Sequence, residues 1–427
     1  MSFALGALPI VLLLLGFPIF LVLLTAVTVA LVFFMHVPLT VLHQTMYGSI
    51  DAFALLAIPY FIYAGELMGR GSVAQRIVDV VQSGVGHVRG SLGVTTVGTS
   101  AIFGAISGAS AATVATIGKI MLPAMRSAGY PAPFTAGLIT SVGAIDVIIP
   151  PSIPLIVYGA AAQESVPRLY AAGLLPGFLI AAILAAYVLW FARRARIPAG
   201  GRFEWRAFGR ALGRGVWALG APVIILGGIY GGVFSPTESA GIACVYAAFV
   251  TRFVYRELSW REIVDAAATT FIFTSQILLI VACASVFSWL LTVNQVPAAL
   301  VQWIESMHLT RWSVLLAINL LLLVVGCFID PLSSILLLTP LLVPVVKSLG
   351  IDTVHFGIIF TVNLAIGLFH PPFGINIFVA QSVLKLELPV IYRGIIPFVF
   401  LYLIALALIT YIPEISLASM RLLVRGP

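Results

Sequence analysis

Ile149-Pro150-Pro151-Ser152 and His370-Pro371-Pro372-Phe373 lie about 220 residues apart, each near the middle of a long apolar run, 132–162 and 354–384. Proline removes a backbone donor and clashes with the preceding turn, so two in succession stop a helix. In lipid the carbonyls freed in this way need partners. Broken backbone at such depth is tolerated only where it is buried in protein or lines a cavity.

That the surroundings are lipid follows from composition. Of the 427 residues, 61% are hydrophobic and only 9% charged, where a soluble domain carries nearer a quarter charged. The apolar runs fall at 3–34, 52–69, 92–125, 132–162, 169–192, 216–235, 239–255, 266–291, 312–346, 354–384 and 394–413. They predict an all-α polytopic membrane protein with about a dozen crossing segments at roughly 20 residues each. The run from residue 3 is uncharged and too long for a signal segment, and is expected to be one retained span. Net charge is +7, but Arg193, Arg194, Arg196, Arg202, Arg206, Arg210 and Arg214 crowd one connecting segment. This is a positive-inside signal that places the segment in the cytoplasm, not a nucleic-acid face.

Runs 92–125 and 312–346 are too long for one crossing and too short for two. Divided at their polar centres, each limb has about 16 residues, roughly 24 Å of helix against a core near 30 Å. Two re-entrant hairpins are expected. Each precedes a Pro-Pro break by a similar interval: Ser107 is followed by Pro150, and Asp330 by Pro371. An internal repeat results, dividing the chain into residues 1–215 and 216–427. Interrupted segments at matching positions of two halves point to a transporter's binding site. An inverted repeat additionally requires an odd number of crossings between the halves. Residues 66–90 and 256–265, which place charges among apolar residues at helical spacing, are expected to be amphipathic connectors in the headgroup plane.

Hairpin tips built of Gly and Ser offer carbonyl and hydroxyl oxygens, the neutral ligands that suit a monovalent cation. Candidate ion ligands are Ser107, Gly108, Ser110, Gly143, Asp146 and Pro150 in the first half, and Asp330, Ser333, Ser334, Gly367, His370 and Pro371 in the second. Half-helix N-termini beyond the breaks favour an anion. Thr113, Pro151, Ser152, Pro372 and Asn376 are the candidate substrate contacts. No Arg or Lys sits at either break, and Lys119 is expected to snorkel to the interface. Asp146 is readable, second to a ligand role, as a cap on freed backbone donors, and His370 admits a proton-coupled variant. Cys244, Cys283 and Cys327 are read as packing residues. Nucleotide-binding, metalloprotease and paired-cysteine motifs are missing, which argues against an enzyme and against a cofactor.

At its hairpins and breaks the chain resembles the large membrane subunit of tripartite ATP-independent periplasmic (TRAP) transporters. The stretches that carry the likeness are Ile58-Pro59-Tyr60-Phe61, Ile106-Ser107-Gly108-Ala109-Ser110, Ile149-Pro150-Pro151-Ser152-Ile153-Pro154, Gly231-Gly232-Val233-Phe234-Ser235-Pro236-Thr237-Glu238, Phe328-Ile329-Asp330-Pro331 and Pro371-Pro372-Phe373-Gly374-Ile375-Asn376. The resemblance spans about residues 4–413. It implies an inverted-repeat, elevator-type transporter in the bacterial inner membrane, importing a small organic acid with sodium. It also implies two partners, a small four-helix membrane subunit and a periplasmic substrate-binding protein. A stand-alone sodium- or proton-coupled carboxylate symporter of related fold is the alternative. The chain departs from the family pattern at Ala144-Ile145-Asp146 and at His370.

Overall fold

The computed structural model describes residues 6–424 except 36, 39 and 202; Arg202 and the start of the first apolar run therefore lie outside the described residues. Among these residues there are helices and one isolated β-bridge, between Arg89 and Ala199, but no strand. Six helices are long and apolar enough to cross a bilayer, or seven if Thr40–Ile50 and Phe53–Arg70, bent by 61°, count as one span. The dozen or so crossing segments expected from hydropathy, four of the runs being hairpins or broken helices, thus appear as six or seven long helices and several short ones. The shortfall is at the breaks, which cut each affected run into pieces of 10 to 15 residues.

Both hairpins form. The first joins Ser91–Ser107 to Ser110–Ser127. Gly108 closes the turn at φ +60°, its N–H donating to the Gly104 carbonyl (3.1 Å). A left-handed backbone is the reason for glycine here. The second joins Arg311–Phe328 to Pro331–Ser348 with only Ile329 and Asp330 between. Its limbs have 18 residues each, about 27 Å at helical rise, and so come closer to a full crossing than the sequence suggested. Both breaks form too. Ala132–Val142 runs into a short 3-10 turn, Gly143–Ile145, and the chain resumes as helix at Ile153–Ala162. Thr353–Gly367 stops and resumes at Ile375–Leu384. Pro150-Pro151 and Pro371-Pro372 are both cis.

Three expectations are corrected. The run 3–34 is not one straight span, because Gly16 at φ +81° and Pro18 separate Leu8–Leu14 from Ile19–Ala30. Residues 66–90 are not one connector: Gly71 and Ser72 divide Ala57–Arg70 from the amphipathic helix Val73–Val85. Residues 256–265 do not form a separate in-plane helix. Ser259 caps the 34-residue helix Trp260–Val293 in a capping box with Glu262, so the charged stretch is that helix's first turns.

The halves interleave. The helix that follows the first break, Ile153–Ala162, packs on the second hairpin's limb Pro331–Ser348, and the helix that follows the second break, Ile375–Leu384, packs on Ser110–Ser127 of the first hairpin. Glycine permits the closest crossing. A Cβ added at Gly137 would lie 2.0 Å from the Gly394 carbonyl oxygen, so Ala132–Val142 and Leu388–Tyr411 meet backbone to backbone.

Candidate functional site

Both hairpin tips and both breaks face one cavity of about 420 Å³. Gly108, Ala109 and Ser110 line it from the first tip, Val147, Ile153 and Pro154 from the first break. From the second half come Cys327, Asp330 and Pro331 at the tip, and Gly367, Leu368 and Phe373 at the break. Four segments far apart in sequence are thus brought together, as the interleaving requires. None of the lining side chains is Lys or Arg, and Asp330 is the charged one.

On the first-half side, Ser110 Oγ accepts a hydrogen bond from Asn376 Nδ2 (2.8 Å), which also donates to the Thr140 carbonyl (3.4 Å). Asn376 is fully buried and its Oδ1 has no partner. Gly143 is held against the tip; a Cβ there would lie 2.8 Å from the Ser110 carbonyl oxygen. Ser107 is buried, with its carbonyl pressed on Gly65. Asp146 lies behind the tip and does not line the cavity. It is fully buried, accepts from the Thr113 hydroxyl at Oδ2, and leaves Oδ1 without a donor. Gly104 makes room for it, since a Cβ at residue 104 would sit 2.4 Å from Oδ1. Pro150 and Pro151 are buried in the break. Ser152 is engaged as the cap of the following helix: its hydroxyl donates to the Val147 carbonyl (2.5 Å) and accepts from the Leu155 amide (3.4 Å).

On the second-half side, Asp330 is exposed to the cavity while Oδ1 accepts from the Leu332 and Ser333 amides (3.0 and 3.1 Å), capping Pro331–Ser348. One carboxylate oxygen is thereby fixed by backbone. Ser333 Oγ is buried without a partner, and Ser334 Oγ reaches the Ile329 carbonyl at 3.5 Å. Gly367 packs against Gly326; a Cβ at 367 would lie 2.5 Å from the Gly326 carbonyl oxygen. His370 stands beside the cavity, its Nδ1 3.1 Å from Cys327 Sγ. Cys327 also approaches the Pro371 carbonyl (3.7 Å), and the Pro372 carbonyl accepts from Tyr392 (2.9 Å).

Two helices begin at this site without a side-chain cap, Ser110–Ser127 after Ala109 and Ile375–Leu384 after Gly374. Their first amides carry the partial positive charge of a helix start. Thr113, Pro151, Ser152 and Pro372, expected as substrate contacts, are not on the cavity wall, and Asn376 lies just behind it. Cys327, read from sequence as a packing residue, is on that wall. Also unforeseen is a buried polar chain in which Asn363 donates to Asn319 (2.8 Å) and Asn319 to Thr410 (3.1 Å). The signal was available, because amides inside apolar runs are functional or bonded by necessity. Lys119 is exposed. The cysteines are free thiols, and no cluster of three metal-binding side chains occurs among the described residues.

Comparison with known proteins agrees with this architecture. The chain is 40% identical over 373 residues to the C4-dicarboxylate TRAP transporter large permease protein DctM of Pseudomonas aeruginosa, covering 87% of each chain. It is 38% identical to the DctM protein of Rhodobacter capsulatus, with 97% of each covered, and 38% identical to the ectoine/5-hydroxyectoine TRAP transporter large permease protein UehC of Ruegeria pomeroyi, with 96% of each covered. These relatives are transporter permeases, not enzymes. Among solved structures, the YdaH transporter of Alcanivorax borkumensis shares the fold with a TM-score of 0.67 at 14% identity, over 96% of this chain and 99% of that one. The model of the tripartite ATP-independent periplasmic transporter DctM component matches residues 7–415, and the chain belongs to that family of multi-pass membrane transporters.

Proposed function

We propose that this chain imports a small organic acid with sodium, as the large permease subunit of a TRAP system in the bacterial inner membrane. The observation that carries the reading is the shared cavity: two uncapped helix starts and the Asp330 carboxylate meet there without a basic side chain. The unpartnered oxygens of Asn376, Ser333 and Asp146 lie outside its wall. An anion at such a site is held by helix dipoles and by co-bound cations. The cations fit the oxygen-rich tips. Ser107, Ser110 and the backbone around Gly143 and Pro150 frame one position; Asp330, Ser333, Ser334 and the backbone around Gly367 and Pro371 frame the other. Asp146 supports the first position from behind, because its buried Oδ1 lacks any donor and a buried charge requires compensation.

The substrate range named for the relatives, from C4-dicarboxylates to ectoines, favours a small organic acid without fixing which. In this reading the halves are inverted repeats and the unit bearing both tips moves as an elevator. The chain works with a separate small membrane subunit and a periplasmic binding protein. The test is uptake of a panel of labelled C4-dicarboxylates and sugar acids into proteoliposomes. These hold the chain, a candidate small TRAP membrane subunit from the same genome and, outside, a candidate periplasmic binding protein. Uptake is expected only with an inward sodium gradient and all three components. Equal uptake by this chain alone would replace the reading with a stand-alone symporter, and uptake indifferent to sodium would remove the coupling.

A further inference from the structure

Transport leaves unexplained the arginine-rich segment that stood out in the sequence. In the fold, its last two arginines do not simply face solvent. The amphipathic helix Val73–Val85 packs along Trp205–Tyr230, and between them opens a cleft of about 390 Å³ lined by Ser72, Gln75, Arg76, Asp79, Arg210 and Arg214. Ala207 and Ala211 on the same face leave it room. That volume is in the range of a small-molecule site.

The three guanidiniums are not equivalent. Arg76 is held in place: Nε donates to Ser72 Oγ (2.9 Å), Nη2 pairs with Glu257 (3.2 Å), and the guanidinium stacks on the Tyr255 ring at 3.8 Å. Tyr255 in turn donates to the Arg214 carbonyl (3.2 Å), which ties the cleft's two walls together. Arg210 and Arg214, one helical turn apart, have no acidic partner within 4 Å among the described residues. Asp79, which accepts from Gln75 (2.9 Å), is the carboxylate on the wall. Glu257 offsets Arg76 and Asp79 offsets one of the others, so the cleft has an excess of one positive charge.

Beyond Arg214 the same side of the molecule is aromatic and apolar. Trp217 contacts Tyr246 and Phe249, with ring centroids 6.4 and 6.3 Å away. Tyr246 and Phe249 line a groove of about 710 Å³ with Phe234, Ile242 and Val245, its one charged lining residue being Glu238, whose carboxylate is engaged in the capping box with Ser235. A basic cleft followed along the same helix by an aromatic cluster and then by a largely apolar groove matches an amphiphile with one negative charge.

We propose that this cleft binds the headgroup of an anionic phospholipid, with the phosphodiester between Arg210 and Arg214 against Arg76 and an acyl chain along the Trp217–Phe249 groove. The excess charge selects a singly charged headgroup such as phosphatidylglycerol over a zwitterionic one.

The test is native mass spectrometry of the full chain, purified with its small subunit if one co-purifies, in mixed micelles containing phosphatidylglycerol or phosphatidylcholine. Phosphatidylglycerol adducts are expected to survive activation, and the double variant Arg210→Gln/Arg214→Gln to reduce their occupancy by about tenfold. Both sites are exposed, and retention of the parent's melting temperature in lipid-free detergent verifies the variant's fold. Asp79→Asn, which removes the opposing charge, is expected to increase retention, an effect that loss of fold would not produce. Inorganic phosphate separates the sources: it should raise the melting temperature far less than phosphatidylglycerol. Equal retention of both lipids, unchanged retention in the double variant, a phosphate effect as large as the lipid's, or a protein partner filling the groove with no lipid bound would each overturn the proposal.

Discussion

Asn376, the second residue of the helix that follows the C-terminal break, donates a 2.8 Å hydrogen bond to the hydroxyl of Ser110 at the tip of the N-terminal hairpin. The partners are 266 residues apart, so one bond joins the first hairpin to the helix after the second break beside the cavity. Asn376→Leu removes it and leaves Ser110 Oγ and the Thr140 carbonyl without their donor. The expected loss is about 1–3 kcal/mol of stability, read as a lower melting temperature of the purified protein. Asn376→Ser, which keeps a donor, should lose less.

Gly326 and Gly367 place the second hairpin directly on the second break. Alanine at 367 drives a Cβ to 2.5 Å from the Gly326 carbonyl oxygen, a backbone atom that has no rotamer to yield. Gly367→Ala should therefore cost about 1–3 kcal/mol, as other overpacked sites do, and should depress uptake beyond what the loss of folded protein explains. Gly129→Ala serves as a control, because nothing lies within 4 Å of its added Cβ; the strain of its positive φ lies away from the site.

Cys327 is the one cysteine that lines the cavity; Cys283 is fully covered and Cys244 donates to the Tyr60 carbonyl. A small thiosulfonate reagent should modify Cys327 first and block uptake. Cys327→Ser should abolish that block, as read by uptake after reagent treatment and by mass of the labelled peptide.

Glu257 lies outside the spans, in the turn before Trp260–Val293. Burial raises its carboxyl, but hydrogen bonds from the Ser72 hydroxyl and amide and from Arg76 outweigh burial and hold it below its usual value. A carboxyl lowered in the folded state contributes stability above its unfolded value, and the contribution disappears as pH falls through the folded one. Glu257→Gln should therefore melt below the parent at neutral pH, and the gap should close as the pH drops through and below the ordinary carboxylate range. Thermal denaturation across a pH series measures this.

The breaks and hairpins were legible because they violate a rule of the bilayer. A Pro-Pro pair inside an apolar run, and a run too long for one span, each have few solutions in lipid. What hydropathy did not contain was partner choice. Nothing in the spacing of Ser110 and Asn376 says that they meet, since interleaving of the halves is decided by packing of faces that are apolar all round. The same gap hid that the hydroxyls of Ser152 and Thr113 are engaged by Val147 and Asp146. Residues 256–265 were misread for another reason. A capping box at Ser259 and Glu262 starts a helix, and hydropathy alone does not distinguish a charged first turn from an in-plane connector.

The central claim is that the two hairpin tips hold coupling cations on opposite sides of one cavity. It is tested most directly by the sodium concentration that half-activates uptake in the reconstituted system, measured for Ser110→Ala, Ser333→Ala and Asp330→Asn. The last keeps a side-chain oxygen for the helix cap while removing the charge. Each is expected to raise that concentration by about tenfold, the loss of a single oxygen ligand or charge costing on the order of 1.4 kcal/mol, with the fold retained. Folded variants that transport with the parent's sodium dependence would contradict the account.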